Sequence, residues 1–315
     1  MALTFDQVSG LTHSIINEGL ADNIYDSNPL FMHLKEKGRI SLDGGDSIKL
    51  PITYKKLEAV GSFQNYGLLS TLPTESETAA EYDWKRYYCN IVISRHELLR
   101  NSGESAAVNL LRGKIRNGEM ALEDAMATDL FSANADSATG ILGLRQMVKA
   151  SGLAGGINSS DFAGWASDID ATTSALVLSS MEQAYLDASI GQDAPDIIVT
   201  TKREFRRFWL KLQAVQRFGE GMKVNGGFQY LLFNGVPVFH DSHCPGTSNT
   251  ADNHMFFLNS RWLYLFVHSD DAFKVERIGR IAEQDIVVNQ VTTTVVFATD
   301  NRRMHSAMTT LKENP

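Results

Sequence analysis

Two stretches of this chain read as strands that ought to be neighbours. One is 48–54, Ile-Lys-Leu-Pro-Ile-Thr-Tyr, and its return is 84–94, which opens on Trp84 and carries Tyr87, Tyr88, Ile91 and Val92. Between them lie 29 residues, 55–83, with little regular pattern. Hairpin connections take roughly two to five residues, so this excursion reads as a functional arm or a disordered segment. Ordering it costs chain entropy that burial within one subunit does not return. A neighbouring molecule is therefore expected to order it. Lys55 and Lys56 make its base basic, and Glu75, Glu77 and Glu81 make its distal half acidic. Pro51 keeps the first strand off a central ladder position.

The flanking segments share this extended character. Thr4 and Gln7 have capping-box spacing ahead of a thin stripe at Val8, Leu11 and Ile15. Asn28 and Pro29 open a second short helix carrying Leu30, Phe31 and Leu34, and Gly38 ends it. Neither is apolar enough to make a core alone, so residues 1–44 read as an arm laid on something else. After the excursion, Val108, Leu111, Ile115, Leu122, Met126 and Leu130 predict a helix over 106–131. At ~1.5 Å per residue it is about 35–40 Å long, despite Gly113 and Gly118. It reads as a spine.

Residues 133–168 are small and irregular, apart from an apolar interruption at 141–148. Helices follow over 171–189 and 202–216, with a short buried strand at 195–200 between them. Two strands meet at an Asn234-Gly235 turn, two more lie at 255–258 and 262–268, and a long β-branched strand fills 286–299. Helices and strands alternate without a βαβ rhythm, which makes the fold class α+β.

The 315 residues, 43% hydrophobic with 24 Gly and 7 Pro, are globular in composition, which excludes a wholly disordered or collagen-like chain. Cys89 and Cys244 cannot make a disulfide framework, which fits a reducing compartment. No signal-peptide pattern opens the sequence, and no apolar run approaches the roughly 20 residues of a membrane span. Synthesis in the cytoplasm and no membrane partner are expected. The formal charge of −8 argues against a chain that grips nucleic acid by its phosphates.

Chemistry-bearing motifs are few. His96-Glu97-Leu98-Leu99-Arg100 places a cation where a zinc helix needs its second histidine. The run His240-Asp241-Ser242-His243-Cys244 packs potential ligands side by side rather than in spaced pairs, so a polar loop is the favoured reading over a metal site. Gly219-Glu-Gly-Met follows a helix and lacks the third glycine of a dinucleotide fingerprint. Asp168 and Asp170, followed by Thr172 and Thr173, suit helix capping. Arg203, Arg206 and Arg207, with Lys202 and Lys211, form a basic helix face that is solvated or touches another subunit. No catalytic residue, cofactor or metal is expected.

The order of these parts resembles the major capsid protein of tailed double-stranded DNA bacteriophages, a fold shared with encapsulins. Pro195-Asp-Ile-Ile-Val-Thr, the Arg203-Glu-Phe-Arg-Arg-Phe helix, Leu232-Phe-Asn-Gly-Val-Pro-Val and Met255-Phe-Phe-Leu-Asn are similar to that family's axial motifs. The resemblance implies an N-terminal arm at 1–44 and an extended β-hairpin loop at 45–94. It further implies a peripheral domain with the spine helix at 95–164 and 266–302, including a mobile glycine-rich loop at 133–160, and an axial domain at 165–265 and 303–315. Arm and loop are expected to stand away from a two-part body.

The implied function is a structural, non-enzymatic subunit that self-assembles as hexamers and pentamers into an icosahedral head around double-stranded DNA, contacted weakly and without sequence preference. The implied partners are further copies of itself, a separate scaffold protein, a portal and a decoration protein, in the virion capsid. The subunit-contact candidates are Lys55, Lys56, Glu75, Glu77, Glu81, Arg203, Arg206 and Arg207. An encapsulin-type cargo compartment is the alternative, and a metal enzyme or hydrolase unrelated to shells is a third.

Overall fold

A computed structural model describes residues 28–54, 56–57, 59–65, 75–94, 96, 104–215, 223–225, 228–246, 252–280 and 285–312. In chain order the elements are α1 (Pro29–Glu36), β1 (Ile40–Asp43), β2 (Ser47–Thr53), β3 (Glu77–Asp83), β4 (Lys85–Ser94) and the spine α2 (Glu104–Leu130). Next come α3 (Leu144–Met147), β5 (Leu153–Ala154), β6 (Ile157–Asn158), β7 (Asp168–Asp170), α4 (Leu178–Asp187), β8 (Ile197–Thr200) and α5 (Lys202–Val215). The remaining strands are β9 (Lys223–Asn225), β10 (Phe228–Phe233), β11 (Val236–His240), β12 (Asn253–Leu258), β13 (Leu263–His268), β14 (Lys274–Arg280), β15 (Ile286–Thr299) and β16 (Ser306–Leu311).

Two sheets organise the chain. The long β-branched β15 spans the first, with β4 along one edge and β13 then β14 along the other, while β1 adds parallel to β13. The second sheet runs β7-β16-β12-β8-β11-β10-β9. All four residues of β8 are buried, as a central strand covered on both faces requires. Ile197, Val199, Phe256 and Leu258 face a core shared with the first sheet. Ile198, Met255, Phe257 and Val238 face the opposite way, onto Met181 of α4 and Phe205 and Phe208 of α5. Asn234 (φ 49°) and Gly235 (φ 82°) make the expected tight turn between β10 and β11.

The spine behaves as its periodicity predicts over its described side chains: Leu122, Met126 and Leu130 are buried. Gly118 lets the helix lie close on β4, where an added Cβ would meet the Cys89 Sγ at 3.1 Å. The side chains of Val108, Leu111 and Ile115, like Thr4, Gln7 and the stripe from Val8 to Ile15, lie outside the described residues.

Four expectations are corrected. Residues 28–43 do not stand away from the body. The Asn28 side chain caps α1 by accepting from Leu30 N at 2.9 Å, and Leu30, Phe31 and Leu34 are buried where α1 touches β8 and β13. Second, the return strand of the excursion begins at Glu77. β2 pairs antiparallel with β3 from Ser47↔Asp83 to Thr53↔Glu77, and β4 pairs instead with β15. The segment joining the two paired strands is therefore 54–76.

Third, most of the stretch expected as a mobile loop at 133–160 is packed into the body. Ile141, Leu142, Leu144, Met147, Val148, Ala154 and Trp165 are buried, and the fully buried Arg302 holds the segment by four carbonyls. Its Nε donates to Met147 O at 2.7 Å, Nη1 to Gly152 O at 3.2 Å, and Nη2 to Gln146 O and Lys149 O at 3.1 and 3.0 Å. Fourth, α4 starts at Leu178, so Asp170 caps no helix; it turns the chain after β7 by accepting from Thr172 N at 2.9 Å.

Candidate functional site

The residues proposed for subunit contact fall on two surfaces, the excursion with its root and the exposed side of α5. At the root, alternate residues of the β2–β3 ribbon point inward, and Ile48, Ile52, Ala80 and Tyr82 are buried. Gly155, at φ 60°, brings its carbonyl to 3.0 Å from Glu81 N, and an added Cβ there would strike Ala80 and Tyr82. The Tyr54 ring meets Phe162 edge-on at 4.5 Å, and Tyr54 N donates to Ser76 O at 3.0 Å. The ribbon is thus docked on its own subunit, and the excursion leaves the body from a fixed base.

The outward face of this ribbon carries the charges. The Glu81 carboxylate accepts from Ser47 Oγ at 2.6 Å and meets Lys49 Nζ at 3.2 Å, and these two bonds hold its carboxyl below the ordinary range. Glu81 is therefore engaged within its own subunit. Glu77 is exposed opposite Thr53, and Glu75 is exposed just before the strand. Lys56 is exposed, and Lys55 lies outside the described residues. The structure gathers the three glutamates along one approach to the ribbon.

Sequence reasoning weighed the excursion by its charges and passed over an apolar row. Leu57, Val60 and Phe63 are 61, 81 and 64% exposed. Their spacing of three matches neither a strand nor a helix face, so a periodicity search passes over them. Apolar residues repeated in a segment without secondary structure were the available signal. Beside the root, a cavity of about 400 Å³ is lined by Tyr54, Phe162, Trp165, Trp262, Asp300 and Arg303, among others.

On α5, Phe205 and Phe208 face the core while Arg206 and Leu210 face solvent. The Arg207 Nη1 pairs with the fully buried Glu204, so Arg207 works inside the fold, and Arg203 is half-buried. Of the three arginines, Arg206 is the most exposed.

Within the His240–Cys244 run, Asp241 accepts from Asn28 Nδ2 and from the His243 backbone N–H, and the Cys244 Sγ lies 3.6 Å from His254 O. Among the described residues, no cluster of histidine, cysteine or carboxylate is placed to hold a metal ion. Likewise, no described helix is long and apolar enough to cross a membrane.

No protein-family model matches the chain, and no curated protein matches it by sequence. Solved structures match it over most of its length. The capsid asymmetric unit of cyanophage A-1(L) superposes with a TM-score of 0.66 at 14% identity, covering 88% of this chain and 91% of that one. The capsid of an empty GTA particle gives 0.60 at 12%, covering 88% and 89%. The holo-SrpI encapsulin of Synechococcus elongatus PCC 7942 gives 0.60 at 10%, covering 87% and 85%. The chain has the fold shared by phage capsid proteins and encapsulins.

Proposed function

We propose that this chain is a major capsid protein, the repeating subunit of an icosahedral phage head, with a structural and non-catalytic role. The carrying observation is the excursion: a docked root presenting Leu57, Val60 and Phe63 to solvent. Three large apolar side chains so exposed favour a partner surface, and in a shell the partner is the next copy. In this reading the first sheet with the spine is the peripheral domain and the second sheet the axial domain. Lys55, Lys56, Glu75, Glu77, Arg203 and Arg206 lie at or near contacts within and between hexamers and pentamers, whereas Arg207 pairs with Glu204 inside the fold. Glu81 supports the ribbon instead. Scaffold, portal and decoration proteins would be further partners. Packaged DNA would be touched weakly, because the chain carries a formal charge of −8.

Replacing residues 56–75 with a short Gly-Ser turn tests this. A folded subunit with near-native circular dichroism and no closed particles in negative-stain microscopy is expected. Normal particles from the deletion would refute the role given to the excursion. The likeness to the encapsulin favours a second reading, a compartment for cargo enzymes. Particles that copurify with a defined protein cargo from the native host, and never with DNA, would decide for it.

A further inference from the structure

The strongest unexplained geometry lies where the spine meets the second sheet. His243 sits in the loop after β11 with a carboxylate at each ring nitrogen. Its Nδ1 is 3.1 Å from Asp241 Oδ1, and its Nε2 is 2.8 Å from Asp124 Oδ1 on α2. A neutral imidazole has one N–H; the imidazolium alone donates at both ends.

The two carboxylates are not equivalent. The Asp241 side chain is 4% exposed and fixed twice more, by the His243 backbone N–H at 2.8 Å and by the cap residue Asn28, whose Nδ2 donates to Oδ2 at 2.7 Å. The Asp124 side chain is 73% exposed and has water to turn to. Loss of a proton from the ring therefore breaks the link at Asp124, while Asp241 keeps its other donors.

We infer that His243 is a proton-gated clasp: protonated, it ties the spine helix to the second sheet and, through Asp241 and Asn28, to the start of α1; neutral, it gives up the tie at Asp124 while the spine stays packed on the first sheet. The charged groups acting on the ring are these two aspartates, one from α2 and one from its own loop. Neighbouring charges act elsewhere. Lys202 of α5 acts on His240, whose ring packs on Phe205 at 4.9 Å, and Arg145 acts on Cys244 and His254. Burial of the ring disfavours its charge, but the two aspartates outweigh it and raise its proton affinity above the ordinary histidine value. The clasp links solution acidity to the hold on the spine in the free subunit, whether or not shells close. Its failure and the failure of the shell reading are therefore separate outcomes.

The test follows the ring and the helix together in the full chain. Histidine-selective NMR, with the His243 signal assigned by its loss in H243Q, should give a midpoint above the ordinary histidine range. D124N, a substitution at an exposed position that leaves the fold intact, should lower that midpoint. Amide exchange over residues 118–130, corrected for the intrinsic rate, should quicken as pH rises through the midpoint in the wild type and show no such step in H243Q. An unchanged midpoint in D124N, or an equal step in H243Q, would overturn the clasp.

Discussion

The phenol of Tyr82 donates a 2.7 Å hydrogen bond to the carbonyl of Thr299, joining the return strand of the excursion to the end of the longest strand among the described residues. Burial raises this phenol well above the ordinary tyrosine range, so the hydroxyl stays a donor through neutral pH. Tyr82→Phe keeps the ring and deletes the bond. It should lower the stability of the unassembled subunit by about 1–2 kcal/mol. A urea midpoint within error of wild type would show that the ribbon is held by packing alone.

The spine gives a second measurement. Leu122→Ala and Met126→Ala should each cost about 2–5 kcal/mol, because both side chains are buried. Met120→Ala, at a position 58% exposed on the same helix, should change stability by less than about 0.5 kcal/mol. Chemical denaturation of the three variants checks the orientation of the helix against the first sheet.

Arg302 is the third. Arg302→Met removes the guanidinium from the carbonyls of Gln146, Met147, Lys149 and Gly152, of which Lys149 O keeps Ser167 N and Gly152 O keeps Ser159 N as donors. The expected loss exceeds about 3 kcal/mol. Limited proteolysis should cut first between residues 146 and 152. Arg302→Lys should recover part of the loss, since one ammonium cannot serve four separated acceptors.

The pH dependence has a defined sign at His305. Burial pushes this imidazole down to about 3, with its Nδ1 accepting from Asn259 N at 3.3 Å. Between the ordinary histidine value and that depressed one, the unfolded chain holds a proton that the folded chain refuses. Stability therefore rises with pH across that window, by about 1.4 kcal/mol per pH unit from this residue. Its contribution is lost as the solution is acidified toward pH 3. In His305→Asn the slope of unfolding free energy against pH over the same window should fall by one proton's worth.

Where local sequence chemistry and tertiary environment agreed, the fold was legible. The β-branched run from Ile286 to Thr299, the Asn234-Gly235 turn and the Asn28-Pro29 helix start all signal themselves within a few residues. β3 did not. Glu-Thr-Ala-Ala-Glu-Tyr-Asp is poor in strand formers, and its partner lies on the far side of the excursion. The segment 140–165 looked loose because what fixes it is one guanidinium supplied some 150 residues later. The site was half legible: the charges of the excursion were visible, whereas Glu81's engagement with Lys49 depended on a register that sequence did not reveal. In the sequence His243 stands out only as part of the His240–Cys244 run of potential ligands, which reads as a polar loop. Its partner Asp124 lies 119 residues away and has no sequence signature.

The order of the second sheet has a consequence for how the chain is made. β16 lies between β7 and β12, and it is synthesised after every other strand of that sheet. Arg302, which locks residues 146–152, also appears late. A growing chain on the ribosome cannot close the sheet or fix that segment until residues 302–311 emerge. A truncated or stalled product thus has an open gap between β7 and β12.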